Sequence, residues 1–382
     1  MKILELCNFS SGVCGVWTRV YNESVKLADK GHEILVLSSD FVKGSKEKAK
    51  HVESMDNIRI KRYSGIHLGG EGFMHWFGKK AQEEALNYAP DVIIVHNYRQ
   101  LHTTKALKIA RRLKDKGKNC RVFLVTHAPF VEGNITRSNF SKASVSFYDK
   151  FIGPKTLKNF DKILAISNWE IPYLIKLGAS KDKIEYIPNG IPQEFFSKKK
   201  FKVERKILFL GRISPKKKIE TLMYSIPFLK DKKIKIEIVG PKEKVYFEQI
   251  EGIIKKLNLS GRVIISEPIY GIMEKINKID SCCIFVLPSR VEGMPQSLIE
   301  AMAREKIVIG SDSIAIRDLI NDKVNGFLFE FDNPLDLAGK IDQVLEMKKS
   351  YLLKIKSSAQ KSVEKFSWNK VIGKIEDTIR NK

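Results

Sequence analysis

Leu287-Pro-Ser-Arg-Val-Glu-Gly-Met-Pro-Gln-Ser-Leu-Ile-Glu-Ala-Met302 begins on the end of an apolar run, turns at Gly293 and Pro295, and continues with helical spacing. Proline is acceptable in a first helical turn, so the stretch reads as strand, turn and helix. Such a unit offers unpaired backbone N–H groups to an anion at the helix start. Glu292 projects from the turn, and Glu300 follows in the helix, about a turn and a half in. Two carboxylates so placed can each accept paired hydrogen bonds from vicinal hydroxyls. A nucleoside diphosphate sugar carries two such diols, one on the sugar and one on the ribose.

A second charged strand end lies upstream. In Phe209-Leu-Gly-Arg-Ile-Ser-Pro-Lys-Lys-Lys-Ile219 an apolar run delivers Gly211 and Arg212 to its carboxyl end, and Lys216, Lys217 and Lys218 follow at the start of the next helix. The fixed fork of arginine and the compact charge of lysine together suit a diphosphate leaving group. Around these motifs, strands are expected at 206–210, 235–239, 262–266, 283–287, 307–310 and 326–329, with helices between them and a tail from 334 to 382 that is almost wholly helical in pattern. The first half follows the same scheme, with strands at 2–6, 33–38, 58–63, 91–95, 122–126 and 162–166 and helical apolar spacing at 18–30 and 101–114. Strand–helix alternation of this kind predicts an α/β protein of two Rossmann-like, doubly wound parallel-sheet domains. Two such sheets imply a cleft, with ligands outside the carboxyl ends of the strands. The Lys-rich stretch 192–204 has little apolar pattern and reads as the linker, giving domains at 1–192 and 193–365. Residues 129–150 lack clear periodicity and read as a long loop of the functional kind.

Composition narrows the classes. The chain has 382 residues, 43% hydrophobic and 29% charged, enough apolar material for sizeable cores. No apolar run approaches the ~18–20 residues needed to cross a bilayer. Glu5 interrupts the first apolar stretch, which therefore reads as a strand rather than a secretory signal. Five cysteines without a C-x-x-C pair suggest neither a disulfide framework nor a zinc site and fit a reducing cytoplasm. The net charge of +24 is evenly spread: residues 1–190 hold 31 basic and 19 acidic residues, and the remainder holds 37 and 25. A basic surface favours anionic partners, among them phosphate esters, anionic lipid heads and nucleic acid, without choosing between them.

The two motifs, in this order and separation, resemble those of family 4 of the retaining glycosyltransferases, which have the GT-B fold. The resemblance covers essentially the whole chain. Gly12 and Gly15 lie in the turn after the first strand, Gly31-His32 precedes the second, and Pro188-Asn-Gly-Ile191 comes before the linker. Val239-Gly-Pro241 ends a strand of the second domain, and Phe366-Ser-Trp368 opens the final helix. The resemblance implies an acceptor-binding N-terminal domain and a nucleotide-sugar-binding C-terminal domain, with the last helix, about 366–382, returning to the first. It implies transfer of a hexose-type sugar from a nucleoside diphosphate sugar to a hydroxyl of a glycan or lipid-linked acceptor, with retention and with neither metal nor other cofactor. Carried over by position, Glu292 would bind sugar hydroxyls, Glu300 the ribose, and Arg212 beside Gly211, with Lys217, the diphosphate. Backbone at Gly293, Met294 and Pro295 would line sugar and phosphate, though Pro295 has no N–H to donate. Two departures stand out. Lys218 occupies the place where the family has glycine, which leaves the choice between Lys217 and its neighbours open. Cys14-Gly15 replaces a glycine pair, so the Gly15 amide either approaches a phosphate or serves a plain turn.

All seven histidines lie at or before residue 127, and His96 and His127 fall at strand ends. The resemblance places a histidine such as His127 near the transferred sugar, with His96 a candidate for an acceptor pocket; the alternative is a ring hydrogen-bonded to a loop. There is no Asp-x-Asp, which counts against the metal-dependent GT-A enzymes, and no Gly-x-x-x-x-Gly-Lys-Ser/Thr loop. Without a metal, cationic side chains and helix-end amides must stabilise the departing diphosphate. In residues 69–80, Phe73, Trp76 and Phe77 lie near two lysines. These rings either pack on the N-terminal core or meet an anionic membrane as a peripheral contact of a cytoplasmic protein. Two rival functions remain: a GT-B epimerase acting on a nucleotide sugar without an acceptor, and a basic polyanion-binding module. The second predicts salt-dependent binding to any duplex and leaves Glu292 and Glu300 unexplained; no specific nucleic acid is expected.

Overall fold

Runs of Ile, Val and Leu bounded by Gly, Asn and Pro form the strands of two separate sheets. The computed structural model describes all residues except 13, 44, 68–73, 131–138, 198–202 and 382. The chain divides into one unit of Met1–Asn189 with Lys370–Lys382 and another of Gly190–Asn369.

The first unit contains β1 (Lys2–Phe9), β2 (Glu33–Ser39), β3 (Val52–Met55), β4 (Ile58–Tyr63), a small ribbon of β5 (Ile66–His67) and β6 (Met74–His75), then β7 (Val92–His96), β8 (Arg121–Val125), β9 (Lys162–Ala165) and β10 (Ile184–Tyr186). The eight-stranded sheet runs β10-β9-β8-β7-β1-β2-β4-β3. All its pairings are parallel except β3 with β4. That hairpin turns on Asp56 and Asn57, both at positive φ (46° and 63°), as a two-residue hairpin turn requires. Strand order reverses at β1, whose neighbours are β2 and β7.

The second unit contains β11 (Lys206–Leu210), β12 (Lys235–Val239), β13 (Val263–Ser266), β14 (Ile284–Leu287), β15 (Ile307–Ser311) and β16 (Phe327–Phe329), in the order β13-β12-β11-β14-β15-β16 and parallel throughout. The central strands β11, β14 and β15 are buried on both faces and read as continuous apolar runs, as a helix-covered parallel sheet demands, while the edge strand β13 leaves Ile264 exposed. Here the order reverses between β11 and β14. The doubly wound class therefore holds for both units, with one antiparallel edge strand added to the first.

One expectation changes and two gain detail. Residues 139–152, expected within a structureless loop, form a helix (Asn139–Phe147) and a wider helical turn (Tyr148–Ile152); 131–138 lie outside the described residues. Trp76 and Phe77 pack in the core of the first unit at 2% and 1% exposure, ring edge to ring face at 5.0 Å, so the patch at 69–80 is not an exposed aromatic surface at these two positions; Phe73 lies outside the described residues. The final helix, Trp368–Arg380, enters the first unit from residue 370. Val371, Ile372, Ile375 and Ile379 make its buried stripe, Glu376 pairs with Lys30 at 2.5 Å, and Thr378 donates to Glu185 at 2.5 Å.

Candidate functional site

In the second unit the two charged loops leave adjacent strands. β11 pairs with β14 through Ile207–Ile284 and Leu208–Phe285, so Gly211-Arg212 and the 288–295 turn emerge side by side at the carboxyl edge where strand order reverses. Gly240, just after β12, lets this edge close up: a Cβ there would lie 2.0 Å from the Gly211 carbonyl oxygen. The Arg290 N–H donates to the Lys216 carbonyl at 2.9 Å, locking one loop to the other. Across that link the Lys217 ammonium pairs with the Glu292 carboxylate, and the Lys217 stem lies 3.9 Å from where a Gly211 Cβ would be. Both side chains of the pair are largely buried, which strengthens their attraction relative to an open surface pair. Lys218 turns away. It adopts a left-handed backbone (φ 49°) and pairs with Asp332 at 2.9 Å and Glu220 at 3.4 Å. Among the three lysines it is therefore Lys217 that stands beside Glu292.

Arg212 is exposed and makes no hydrogen bond or ion pair among the described residues. Glu300 is buried in the helix Gln296–Ala303; one carboxylate oxygen accepts from Lys275 at 2.9 Å and the other has no partner among the described residues. A buried carboxylate oxygen without a donor is costly and calls for one. Pro295 caps this helix, and its carbonyl accepts from Leu298 and Ile299. The Gln296 and Ser297 N–H groups are left without acceptors among the described residues, at the positive end of the helix dipole. Gly293 and Met294 form the bend between Glu292 and Pro295. The arrangement offers a free guanidinium, an ammonium and two amides to an anion, and two carboxylates to hydroxyl donors.

The first unit builds its corresponding edge differently. Gly15 opens the helix Gly15–Asp29 after β1, and a Cβ there would meet open space, so no steric requirement fixes it as glycine. Gly12 is fixed, since at φ 80° a Cβ would lie 2.4 Å from the Lys43 carbonyl oxygen. His127 follows β8 in left-handed backbone (φ 57°), and Ala128 after it does the same (φ 49°). Two consecutive non-glycine residues in that region store strain of a kind that clusters at functional sites. The ring of His127 hydrogen-bonds His96, the last residue of β7, through His127 Nε2 and His96 Nδ1 at 3.0 Å, and His96 Nε2 meets the Glu5 carboxyl at 2.8 Å. Burial pushes His96 down to about 3 and His127 well below the usual histidine range, and pushes the Glu5 carboxyl well up, the nearby Arg19 opposing this only in part. His102, also buried, donates from Nε2 to the His96 carbonyl at 2.9 Å and is held down at about 4.

Glu5, His96 and His127 are thus one hydrogen-bonded chain, of which sequence reading placed the two histidines at strand ends and left Glu5 without a role. Its signal was the carboxylate in the middle of an otherwise apolar strand. Lys275, the partner of Glu300, carried no signal, because it sits among many surface lysines. A cavity of about 470 Å³ in the first unit, lined by Asp40, His51, Arg62, Tyr63, Trp76 and Lys79 among others, takes in part of the 69–80 stretch but none of the residues expected to bind donor or acceptor.

Against known proteins, residues 190–362 match the family model "Glycosyl transferases group 1" and residues 13–195 match "Glycosyltransferase Family 4". An uncharacterized glycosyltransferase of Methanocaldococcus jannaschii is 27% identical over 218 residues, 56% of this chain and 58% of that protein. The N,N'-diacetylbacillosaminyl-diphospho-undecaprenol alpha-1,3-N-acetylgalactosaminyltransferase of Campylobacter jejuni is 35% identical over 89 residues, 23% of this chain and 24% of that one. The chain therefore aligns with less than two thirds of the length of either relative. Among solved structures, HepE of Anabaena in complex with UDP and glucose superimposes with a TM-score of 0.73 at 17% identity, covering 100% of this chain and 99% of that one. A glycosyltransferase of Rickettsia africae does so with 0.74 at 19% identity, covering 99% and 97%. With the two matches running in succession from residue 13 to residue 362 and both units built on the sheets described, the chain belongs to glycosyltransferase family 4 and has the GT-B fold.

Proposed function

We propose that this protein is a retaining glycosyltransferase that moves a hexose-type sugar from a nucleoside diphosphate sugar to a hydroxyl of a glycan or lipid-linked acceptor, without a metal. The second unit holds the donor: Glu300 takes the ribose diol, Glu292 the sugar hydroxyls, and Arg212, Lys217 and the amides at the start of Gln296–Ala303 the diphosphate. The first unit takes the acceptor, with His127 beside the transferred sugar. The observation that carries this reading is the Lys217–Glu292 pair, set one strand over from a free Arg212 and one helix turn from the unpartnered oxygen of Glu300. Before donor arrives, the ammonium and the carboxylate neutralise each other. When it binds, each turns to its own part of the ligand.

In the reaction the acceptor oxygen bonds to the anomeric carbon on the face that the diphosphate leaves. The bond from that carbon to the β-phosphate oxygen breaks, and the acceptor proton passes to the leaving phosphate. Charge develops on that phosphate, where Arg212, Lys217 and the helix amides act most strongly. The test is a panel of UDP-, GDP- and ADP-sugars with the product followed by NMR. UDP-glucose is the first donor to try, because a structural neighbour has been seen with it. Donor turnover that requires an acceptor, survives EDTA and yields the donor's anomeric configuration is the expected result. An inverted product, or activity abolished by EDTA and restored by a metal, overturns the corresponding part. Turnover of donor alone to an epimer overturns the transfer itself.

A lipid-linked acceptor would bring this cytoplasmic protein to a bilayer, and the named acceptor of the Campylobacter relative is lipid-linked. No helix among the described residues is long and apolar enough to cross a membrane. The first unit does expose Phe147 (58%), Phe151 (53%) and Ile152 (38%) beside Lys142 and Lys150, a combination suited to the anionic interface. Sedimentation with vesicles rich in anionic phospholipid should carry the protein down, and Phe147→Ser with Phe151→Ser should release it. No sedimentation at low salt ends the membrane reading.

A further inference from the structure

The paired histidines His96 and His127 present a choice that a sugar-binding role alone does not settle: whether the free nitrogen of His127 donates or accepts. Nε2 of His127 is engaged with His96, whereas Nδ1 has no hydrogen-bond partner among the described residues, and the residue is only half-buried. A neutral imidazole carries one proton, so the polarity of each link dictates the next. If Glu5 accepts from His96, then His127 must donate from Nε2 and presents a bare Nδ1. If Glu5 donates to His96, every link reverses and His127 presents Nδ1–H.

The surroundings of Glu5 decide between these. It is completely buried in β1, and its second oxygen, Oε1, has no hydrogen-bond donor among the described residues. The cation near it, Arg19, makes no bond to Glu5: Nε pairs with Glu23 at 3.0 Å, Nη1 donates to the Ile187 and Pro188 carbonyls and to Asn189 Oδ1 at 3.2, 2.9 and 3.0 Å, and the buried Nη2 has no partner among the described residues. One arginine serves Glu23, so an anionic Glu5 would be a second buried charge with one oxygen bare, a costly arrangement. As a carboxylic acid it has a single proton. On Oε2 that proton finds His96 Nε2 at 2.8 Å and leaves only a carbonyl unpaired; on Oε1 it would be a buried donor with nothing to receive it, the rarer fault. The other ionisable groups around the chain do not alter this. Cys7 on β1 is buried and held as a thiol, and His102 on the neighbouring helix is neutral and already donates to the His96 carbonyl. Glu23 favours and Arg19 disfavours a charged His96, but burial outweighs both, and at His127 burial and Arg19 act together against charge.

We infer that Glu5 and His96 are positioning residues for His127: the Glu5 carboxyl donates to His96 Nε2, His96 Nδ1–H donates to His127 Nε2, and His127 Nδ1–H is thereby held as a donor to a substrate oxygen. The ligand chemistry is that of an oxygen acceptor, a hydroxyl of the sugar or of its acceptor. This deepens the transferase reading and rests on it for what His127 touches, while the direction of the chain stands on the free protein.

The test is long-range ¹H–¹⁵N NMR of the full-length protein labelled at histidine, without substrate. Imidazoles in water prefer the Nε2–H tautomer, so Nδ1–H on both His96 and His127 at pH 7 is a distinctive expected result. Nε2–H on both overturns the proposal. Glu5→Gln, whose carboxamide can donate along the same line, should keep both tautomers and keep transfer within about threefold of wild type. Glu5→Leu removes the donor, and His127 should then relax toward Nε2–H with kcat lower by about tenfold, the loss of one hydrogen bond's differential, and with nucleotide affinity unchanged. Unaltered kcat in a Glu5→Leu protein whose tautomers have reversed overturns the positioning role. Should that variant fail to fold, the wild-type spectrum and the Glu5→Gln pair still decide. Reversed tautomers in an active transferase reject this inference alone; the expected tautomers in a protein without transferase activity reject the functional reading alone.

Discussion

The two sheets reverse strand order in the same way and equip that place with opposite chemistry. At the β11/β14 edge the side chains are charged: Arg212 free, Lys217 against Glu292, Lys275 against Glu300. At the β1/β7 edge they are uncharged, a carboxyl and two imidazoles that burial keeps neutral. The difference teaches what each site can discriminate. Fixed charges recognise a charged ligand and stabilise charge that develops during reaction. A neutral hydrogen-bonded chain cannot do that, but it sets the direction of each hydrogen bond and so suits uncharged hydroxyls.

The hardest test of the charged edge is Arg212→Ala. Because the side chain is exposed and unpaired among the described residues, its loss should leave the melting temperature unchanged, while transfer falls by about 10²–10³-fold, as expected when one preorganised donor to developing charge is removed. Steady-state kinetics beside a thermal melt reads both. A variant as active as wild type would mean that this edge does not carry the leaving group.

The neutral edge is tested by acid. His102 is held down at about 4 by burial, whereas the unfolded chain takes a proton near the ordinary value of 6.5. Between those values the unfolded state binds more protons, so stability present above pH 6.5 is lost as pH falls toward 4, by about 1.4 kcal/mol per unit and about 3 kcal/mol in all. In His102→Gln that loss is absent. The stability advantage of wild type at pH 7, measured by denaturant unfolding, should therefore shrink steadily toward pH 4. The second unit has no histidine at all. Its buried Glu237, which burial alone would raise, is held at about 2 by hydrogen bonds from Lys206, Lys278 and Ser266, and gives up its contribution only below the ordinary carboxylate range. Hydrogen exchange should show the first unit loosening at higher pH than the second. A constant difference between wild type and variant would mean that His102 is not held neutral.

Glu300→Gln sharpens the charged edge further. The carboxamide keeps the shape but not the charge, and charge-assisted hydrogen bonds are worth about 1.5–3 kcal/mol, so nucleotide affinity by calorimetry should fall about 10- to 100-fold. Lys275 loses its partner at the same time, and because it is partly exposed the fold should tolerate this.

How much of this was legible in the sequence follows from the same contrast. The charged edge was legible because its residues stand in local strings, Gly-Arg-Ile-Ser-Pro-Lys-Lys-Lys and Glu-Gly-Met-Pro, in which strand, turn and helix start follow one another. The neutral edge is assembled from residues 5, 96 and 127, brought together only by the pairing of β1 with β7 and of β7 with β8, which single-chain periodicity does not encode. The buried strands were found nearly to the residue because apolar runs of Ile and Val are unambiguous. β3 was missed because Val-Glu-Ser-Met has no such run; its only announcement was the Asp56-Asn57 turn. The helix at 139–147 was missed because Ala143, Val145 and the exposed Phe147 do not make a buried stripe.

The smallest effect concerns the place where this chain departs from its family. Lys218 takes the left-handed backbone that glycine takes without strain, at a cost of about 1 kcal/mol. In return its ammonium reaches Asp332 and Glu220, and these partly exposed pairs contribute about 0.2–1 kcal/mol each. Lys218→Gly therefore removes a strain and two ion pairs of similar size, and the unfolding free energy should move by less than about 1 kcal/mol with transfer unchanged. Asp332→Asn should be worse than Lys218→Gly, because it keeps the strained lysine while deleting its better partner. If instead Lys218→Gly abolished activity while Lys217→Ala spared it, the diphosphate would belong to the neighbour, and the charged edge would have to be redrawn around Asp332 rather than Glu292.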